Sequence, residues 1–266
     1  MNHAVQQLEK VPVSTRLLKE THKILLSKGR GANRLPGEYR RSQNWIGGSS
    51  ISDAVFIPPS HEEVNSLMSD LEQFLHNEII QVPNLIRIAI GHYQFETIHP
   101  FLDGNGRVGR LLITLYLVSK GLLMKPTLYL SEYFEKHRSV YYDKLMFARH
   151  QNDLTQWVIF FFLAIIETCN KGIATFEKIQ KLRDDIEGRR IPRLGKKMPK
   201  ARELLLNLYR NPSVTAKDVA KILLVTPKTA NELIQDLVDL KILTEQTGGR
   251  RNRVFMFVEY INLFSK

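Results

Sequence analysis

The feature that most limits how this chain can fold is a polar loop set between two apolar helices. Residues 85–98 repeat apolar side chains at helical spacing, and residues 111–118 (LLITLYLV) read as a buried helix. Between them residues 99–110, HPFLDGNGRVGR, hold one imidazole, one carboxylate, one asparagine amide, two guanidinium groups and three glycines. The segment is therefore a short loop feeding the N-terminus of the second helix. Gly104 and Gly106 allow a tight turn and the close approach of a ligand to the backbone. The free N–H groups of the turn and of the helix start form an anion site. Arg107 and Arg110 stand at i, i+3 and can point to the same side, where two guanidinium forks suit a polyphosphate.

The remaining residues of the loop extend that chemistry. Asp103 is placed to hold Mg²⁺, which prefers one or two carboxylates together with phosphate oxygens and water. His99 can take a proton from a nucleophile attacking the phosphate, and Asn105 is expected to donate to a phosphate oxygen. Each residue has an ordinary structural use of its own: Asp103 as an N-cap, the glycines as a turn, His99 as a hydrogen-bonded core residue. Their concentration in twelve positions points to a site. There is no G-x-x-x-x-G-K-[ST], and no G-x-G-x-x-G between a strand and a helix. His92 and His99 are seven apart, but no third metal ligand is evident, and His92 reads as a hydrogen-bonded core histidine.

HPFLDGNGR-x-x-R resembles the Fic-domain signature H-x-F-x-[DE]-G-N-G-R-x-x-R at every defined position. The resemblance extends from residues 36–59 to about residue 149. It implies an all-α catalytic unit that moves AMP from ATP–Mg²⁺ to a hydroxyl of a target protein, with His99 as base and Asp103 holding Mg²⁺. Gly104, Asn105, Gly106, Arg107 and Arg110 would hold the phosphates. A relative that acts as a kinase has Lys where this chain has Gly106, which disfavours that variant.

Two further stretches take their meaning from the resemblance. Residues 42–59 read as a hairpin, with strands at Asn44, Trp45, Ile46 and at Ala54, Val55, Phe56, Ile57 around a Gly-Gly-Ser-Ser turn. The matching hairpin of Fic proteins is a flap that pairs with the target segment by strand addition. Tyr142, Met146 and Arg149 fall at i, i+4, i+7 on a helix expected over residues 132–149 with Ser131 as its cap. Taken alone that stripe reads as core; the resemblance places it in an adenine pocket.

The rest of the chain divides unevenly in charge. Residues 188–266 carry 16 Lys and Arg against 7 Asp and Glu, and residues 1–187 carry 22 against 20, so nearly all of the net +11 lies in the last third. That excess points to a polyanion partner there. Residues 188–200, with six basic residues, two prolines and two glycines, read as a linker. Beyond it, helices are expected at 201–209, 216–223 with Thr215 as cap, and 228–240 with Pro227 at its start. Segments 242–245 and 253–258 would form a wing. This resembles a winged helix-turn-helix, with Lys228, Thr229 and Asn231 facing a DNA groove and Arg250, Arg251 and Arg253 on the wing. The alternative partner for such a domain is a second copy, as a homodimer.

The expected organisation is thus a mainly α chain: a Fic catalytic domain at 1–187, a basic linker and a winged-helix domain at 201–266. Helices are further expected at 1–10, at 15–26 capped by Ser14, at 61–77 capped by Ser60, and at 153–187 with a bend near Gly172. The lone Cys169 excludes a disulfide framework. The longest apolar run, residues 157–166, is half a membrane span, so a cytoplasmic protein with no membrane partner is expected. The pattern [ST]-x-x-x-E-[GN] of the inhibitory helix found in Fic proteins is absent, since the only Glu before Gly or Asn is Glu187, with Arg183 four residues ahead. Together with an uncapped first helix, this suggests an upstream inhibitory segment or a separate inhibitory protein. The competing functional readings are a DNA-binding regulator whose Fic domain only senses nucleotide, and transfer of another phosphate-containing group.

Overall fold

The computed structural model describes residues 2–8, 10–27, 33–249 and 252–264. It divides into two compact units, Met1–Cys169 and Asn170–Lys266. The division falls earlier than the Glu187/Gly188 boundary that composition suggests.

The first unit is helical. It comprises α1 (Asn2–Gln7), α2 (Thr15–Leu26), α3 (Val64–His76), α4 (Asn84–Ile98), α5 (Asn105–Ser119), α6 (Ser131–Lys136), α7 (Arg138–Gln151) and the start of α8 (Thr155–Asp185). Ser14 caps α2 by accepting from the Leu17 N–H. Ser60 does not start α3; its hydroxyl accepts from the Glu62 N–H in a turn, and the helix begins at Val64. The helix expected over 132–149 is two helices. Its break is His137, whose φ of −110° and ψ of 36° leave the helical region, and Ser131 is the first residue of α6 rather than a cap.

Helices α4 and α5 pack directly on one another and carry the centre of the core: Ile88, Phe95, Val108, Leu112, Leu115 and Tyr116. From α8, Trp157, Phe160, Phe161 and Ala164 join that core, and the Trp157 indole N–H donates to the Ala89 carbonyl at 2.8 Å. The run expected to be wholly buried is instead two-faced, because Ile159, Leu163 and Ile166 are exposed. By length and composition alone α8 could cross a membrane, but it seats one face in the helical core. The helix continues through Gly172.

The flap stretch makes a single antiparallel bridge, Ile46 to Phe56, rather than two strands. Its tip is a short 3₁₀ turn, Ile51–Asp53, closed by the Asp53 carboxylate, which accepts from the backbone N–H groups of Ser49 and Ser50. A tip that folds back on a carboxylate leaves little extended chain to pair.

In the second unit, residues 186–197 are helical turns, not an open linker. Ile186 and Ile191 are buried in the unit's own core, Arg190 pairs with Asp185 and Glu259, and Lys197 pairs with Asp236. Apolar anchors and ion pairs therefore fix a stretch whose Pro, Gly and Lys content reads as loop. There follow α9 (Met198–Leu208), β1 (Ser213–Thr215), α10 (Ala216–Ile222), α11 (Pro227–Asp239), β2 (Thr244–Glu245), β3 (Val254–Met256) and α12 (Val258–Asn262). The strands form an antiparallel sheet in the order β1-β3-β2, with Met256 opposite both Ser213 and Thr244.

Candidate active site

The site forms where α4 ends and α5 begins. His99 closes α4 in a left-handed conformation, φ 50°, ψ 59°. This costs strain for a residue with a Cβ, and two neighbours hold it. The His99 carbonyl accepts from Arg40 Nε at 3.1 Å and from Asn44 Nδ2 at 3.4 Å. Arg40 is buried and directs its remaining donors to the carbonyls of Ser42, Pro59 and Ile98, while its own N–H donates to the Pro100 carbonyl. One guanidinium thus ties the stem of the flap to the catalytic loop. Burial, with the positive charges of Arg149 and Arg40, brings the His99 imidazole down to about 4. At neutral pH it is unprotonated, the form a base requires.

Beyond His99 the loop is held by its own side chains. Asn105 is buried, accepting from the Phe101 N–H at 2.8 Å and donating to the Phe101 carbonyl at 2.7 Å. Its amide closes the loop with one N–H and its carbonyl, leaving one N–H for another acceptor. Gly104, at φ 83°, is the residue that needs to be glycine for the turn. Gly106 is helical; its use is space, since a Cβ there would lie 3.1 Å from Arg110 Nη1. Side chains on a helix lean toward its N-terminus. Accordingly, Arg107 Nη2 lies 3.5 Å from a Cβ built on Gly104, and both guanidinium groups gather at the start of α5. No side chain caps that start.

Asp103 accepts from the Gly104 N–H at 2.6 Å and from Arg107 at 3.4 Å, with its carboxylate partly open to solvent. Among the described residues no cluster of three His, Cys, Asp or Glu could hold a metal by itself. A single open carboxylate beside an anion site fits Mg²⁺, which keeps water and phosphate oxygens as its other ligands.

A cavity of about 340 Å³ opens beside His99. Tyr142, Met146, Arg149 and Leu145 form its α7 wall, and Ile46, Val55 and Phe56 its flap wall. The α7 stripe is thus a cleft wall, as its spacing allows, but Arg149 is committed to the protein. It donates to Thr97 Oγ1 and to the Glu96 carbonyl, and its guanidinium stacks 3.8 Å from the Phe56 ring centroid. The expected flap residues diverge. Ile46, Val55 and Phe56 line the cleft, and the Asn44 side chain turns inward and donates to the His99 and Phe101 carbonyls. Trp45 and Val55 remain exposed, with Ala54 partly so.

Glu96 lines the same cavity and is not apparent from the motif. It is buried, its Oε1 has no hydrogen-bond partner, and burial pushes it up to about 7 against the pull of Arg110 and Arg149. Gly109 exists for it: a Cβ there would sit 2.4 Å from Oε1. The available signal was the one acidic residue of α4, three residues before His99. Ser131, whose Oγ accepts from Arg110 Nε at 3.1 Å, gave no such signal. His92 is a buried, hydrogen-bonded residue between the Gly109 carbonyl and the Tyr141 hydroxyl.

In the second unit, a cavity of about 860 Å³ is lined by Thr215, Lys217, Asn231, Asn252 and Arg253, among others. The expected groove-reading residues are partly engaged. Thr229 meets the Thr226 hydroxyl, Asn231 donates to the Pro227 carbonyl, and Arg253 pairs with Glu245. Lys228 is exposed. Arg250 and Arg251 lie outside the described residues.

Comparison with known proteins places this geometry. Residues 12–117 match the Fic/DOC family model. The chain is 36% identical over 125 residues to Protein adenylyltransferase Fic of Culex quinquefasciatus, covering 47% of this chain and 22% of that protein. It is 30% identical over 154 residues to Protein adenylyltransferase Fic of Drosophila melanogaster, covering 58% and 28%. The matches thus span under a third of those relatives. A Fic family protein from Desulfovibrio desulfuricans G20 shares the fold, with a TM-score of 0.57, 22% identity, and 96% of this chain and 72% of that one covered.

Proposed function

We propose that this chain, whose residues 12–117 match the Fic/DOC family model, transfers AMP from ATP to a hydroxyl side chain of a target protein. The observation that carries the reading is the juxtaposition at the α4–α5 junction. An unprotonated, strained imidazole stands beside an uncapped helix start over which two guanidinium groups fold. Such a helix start favours anions, and fixed donors stabilise charge as it develops on a phosphate.

In this mechanism the nucleotide occupies the cleft with its base toward Tyr142 and Met146 and its phosphates on the Asn105–Arg107 amides. Arg107 and Arg110 neutralise the leaving pyrophosphate. Asp103 would hold Mg²⁺, which supplies charge neutralisation on the phosphates when bound. His99 Nε2 takes the proton of the incoming hydroxyl as the new P–O bond forms and the α–β phosphoanhydride bond breaks. Control would come from an inhibitory helix supplied by an upstream segment or a separate protein, whose glutamate competes for Arg110.

The test is incubation with α-phosphate-labelled ATP, Mg²⁺ and a native lysate: labelled protein bands are expected. Nucleotide binding with no labelled protein would support the second reading, a DNA-binding regulator that senses nucleotide. The positive charge of the last third favours that reading, as does the helix–strand–helix–helix–strand–strand order of a winged helix in the second unit. Label from the γ-phosphate alone would indicate transfer of a different group.

A further inference from the structure

Outside the signature, one residue makes more polar contact with the phosphate loop than its place on α2 requires. His22 is fully buried, and both ring nitrogens are spent on backbone groups of distant segments. The Gly37 N–H donates to Nδ1 at 2.8 Å, and Nε2 lies 2.9 Å from the Asp103 carbonyl oxygen. A backbone N–H can only donate, so Nδ1 is the acceptor and Nε2 carries the proton. The ring is therefore neutral and donates to Asp103. Burial also holds the imidazole below its ordinary value, with the Arg107 charge acting in the same direction. The ring lies flat on Phe101, with centroids 3.8 Å apart at 10°, and 3.5 Å from a Cβ built on Gly104.

We propose that His22 is a positioning residue for the phosphate site, fixing the Asp103–Gly104 peptide so that the Gly104 N–H and the Asp103 carboxylate face the nucleotide. This rests on the nucleotide-transfer reading above. The physical reason is the planarity of the trans peptide, whose C=O and N–H point in opposite directions. Anchoring the Asp103 carbonyl on His22 turns the Gly104 N–H away from α2. There it holds Asp103 Oδ1 at 2.6 Å and orients the carboxylate. Gly104, at φ 83°, cannot fix this plane through its own conformational preference, since glycine tolerates either sense of φ. The other end of the clamp is firm because Gly37, at φ 84°, packs against α2, where a Cβ would come 3.0 Å from that of Lys23. An apolar residue of similar size would fill the space beneath Phe101 but leave the peptide free to flip.

Two variants separate positioning from packing. In His22→Gln the amide nitrogen can stand where Nε2 stands and still donate to Asp103. In His22→Asn the amide oxygen can stand where Nδ1 stands, keeping only the Gly37 bond. The full chain is titrated with a non-hydrolysable ATP analogue in Mg²⁺, and Gly104 amide exchange is followed by NMR without nucleotide. Losing one buried hydrogen bond is worth about tenfold in affinity. His22→Asn should therefore bind roughly tenfold more weakly and exchange Gly104 faster, with His22→Gln within about threefold of wild type on both readouts. Equal behaviour of the two folded variants would overturn the proposal. Should His22→Asn fail to fold, a tenfold loss of affinity in folded His22→Gln overturns it and near-wild-type binding supports it. A wild type that binds no analogue would count against the nucleotide reading, while the Gly104 exchange contrast still decides the role of His22.

Discussion

The chain starts its helices in two ways. In the second unit, α10 opens with a reciprocal box between Thr215 and Asp218, and the Thr226 hydroxyl of α11 accepts from the Thr229 N–H. Helix α5 opens on a glycine with no side-chain cap, and its nearest carboxylate, Asp103, holds the Gly104 N–H and the Arg107 guanidinium but no N–H beyond Gly104. A cap is worth about 1 kcal/mol of stability, and α5 forgoes it. What α5 gains is a set of amides with no side chain on them, over which two arginines are folded. Capped helices stabilise a fold; an uncapped start, supported from behind by buried polar residues, can receive an anion.

The largest expected effect breaks the chemistry without touching the anion site. His99→Ala should lower transfer about 10²–10⁴-fold, the usual worth of a general base, while ATP affinity stays near wild type by calorimetry. Equal loss of binding and rate would assign His99 to the phosphate site instead. Next comes the packing behind α5. Gly109→Ala sets a Cβ 2.4 Å from Glu96 Oε1 and 3.0 Å from Phe95 Cδ1. Such overpacking costs about 1–3 kcal/mol, read as a lowered thermal midpoint.

Glu96 sharpens the contrast through pH. Its folded-state value of about 7 stands above the ordinary 4.5, so between these values the native state binds more protons than the unfolded chain. The Glu96 contribution to stability then falls as pH rises through that window, against the rise contributed below pH 6.5 by His99 and His92, each brought down to about 4. Ionisation above about pH 7 also puts a negative charge in the cleft, so nucleotide affinity should decline there. Glu96→Gln should remove that falling contribution, so that stability rises more steeply between pH 4.5 and 6.5, and should abolish the decline in affinity; an unchanged slope would mean that Glu96 does not titrate there.

On the capped side, Thr226→Ala should cost about 1 kcal/mol and leave nucleotide binding untouched. The smallest effect concerns DNA. Each phosphate contact contributes roughly 0.9 to the slope of log affinity against log salt. Lys228→Ala should reduce that slope by about one contact. No binding of duplex DNA at low salt would leave dimerisation as the better account of this unit.

These differences follow how information sits in the sequence. The loop was legible because its chemistry is contiguous: glycines, acid and arginines within twelve residues leave few structural alternatives. Helix starts in the second unit were legible for the same reason, Thr215 with Asp218 and Thr226 with Pro227 being local signals. What stayed hidden is set by tertiary contact. His22 meets Asp103 across 81 residues and Arg40 meets His99 across 59, and neither leaves a periodic trace. The inward bonds of Asn105 and Asn44 were hidden too, because a loop amide suits a ligand and a backbone equally well and only the fold decides which it faces. Residues 188–200 misled because two buried isoleucines, Ile186 and Ile191, outweigh the prolines and lysines between and beyond them.

On this reading the imidazole at the end of α4 serves the transfer of AMP to a protein hydroxyl. The most direct measurement is tandem mass spectrometry of lysate proteins after incubation with Mg²⁺, ATP and either wild type or His99→Ala. The account predicts an increment of one AMP on a serine, threonine or tyrosine oxygen with wild type, and none with His99→Ala. An adduct of phosphate alone, or an AMP adduct formed equally by both proteins, would contradict it.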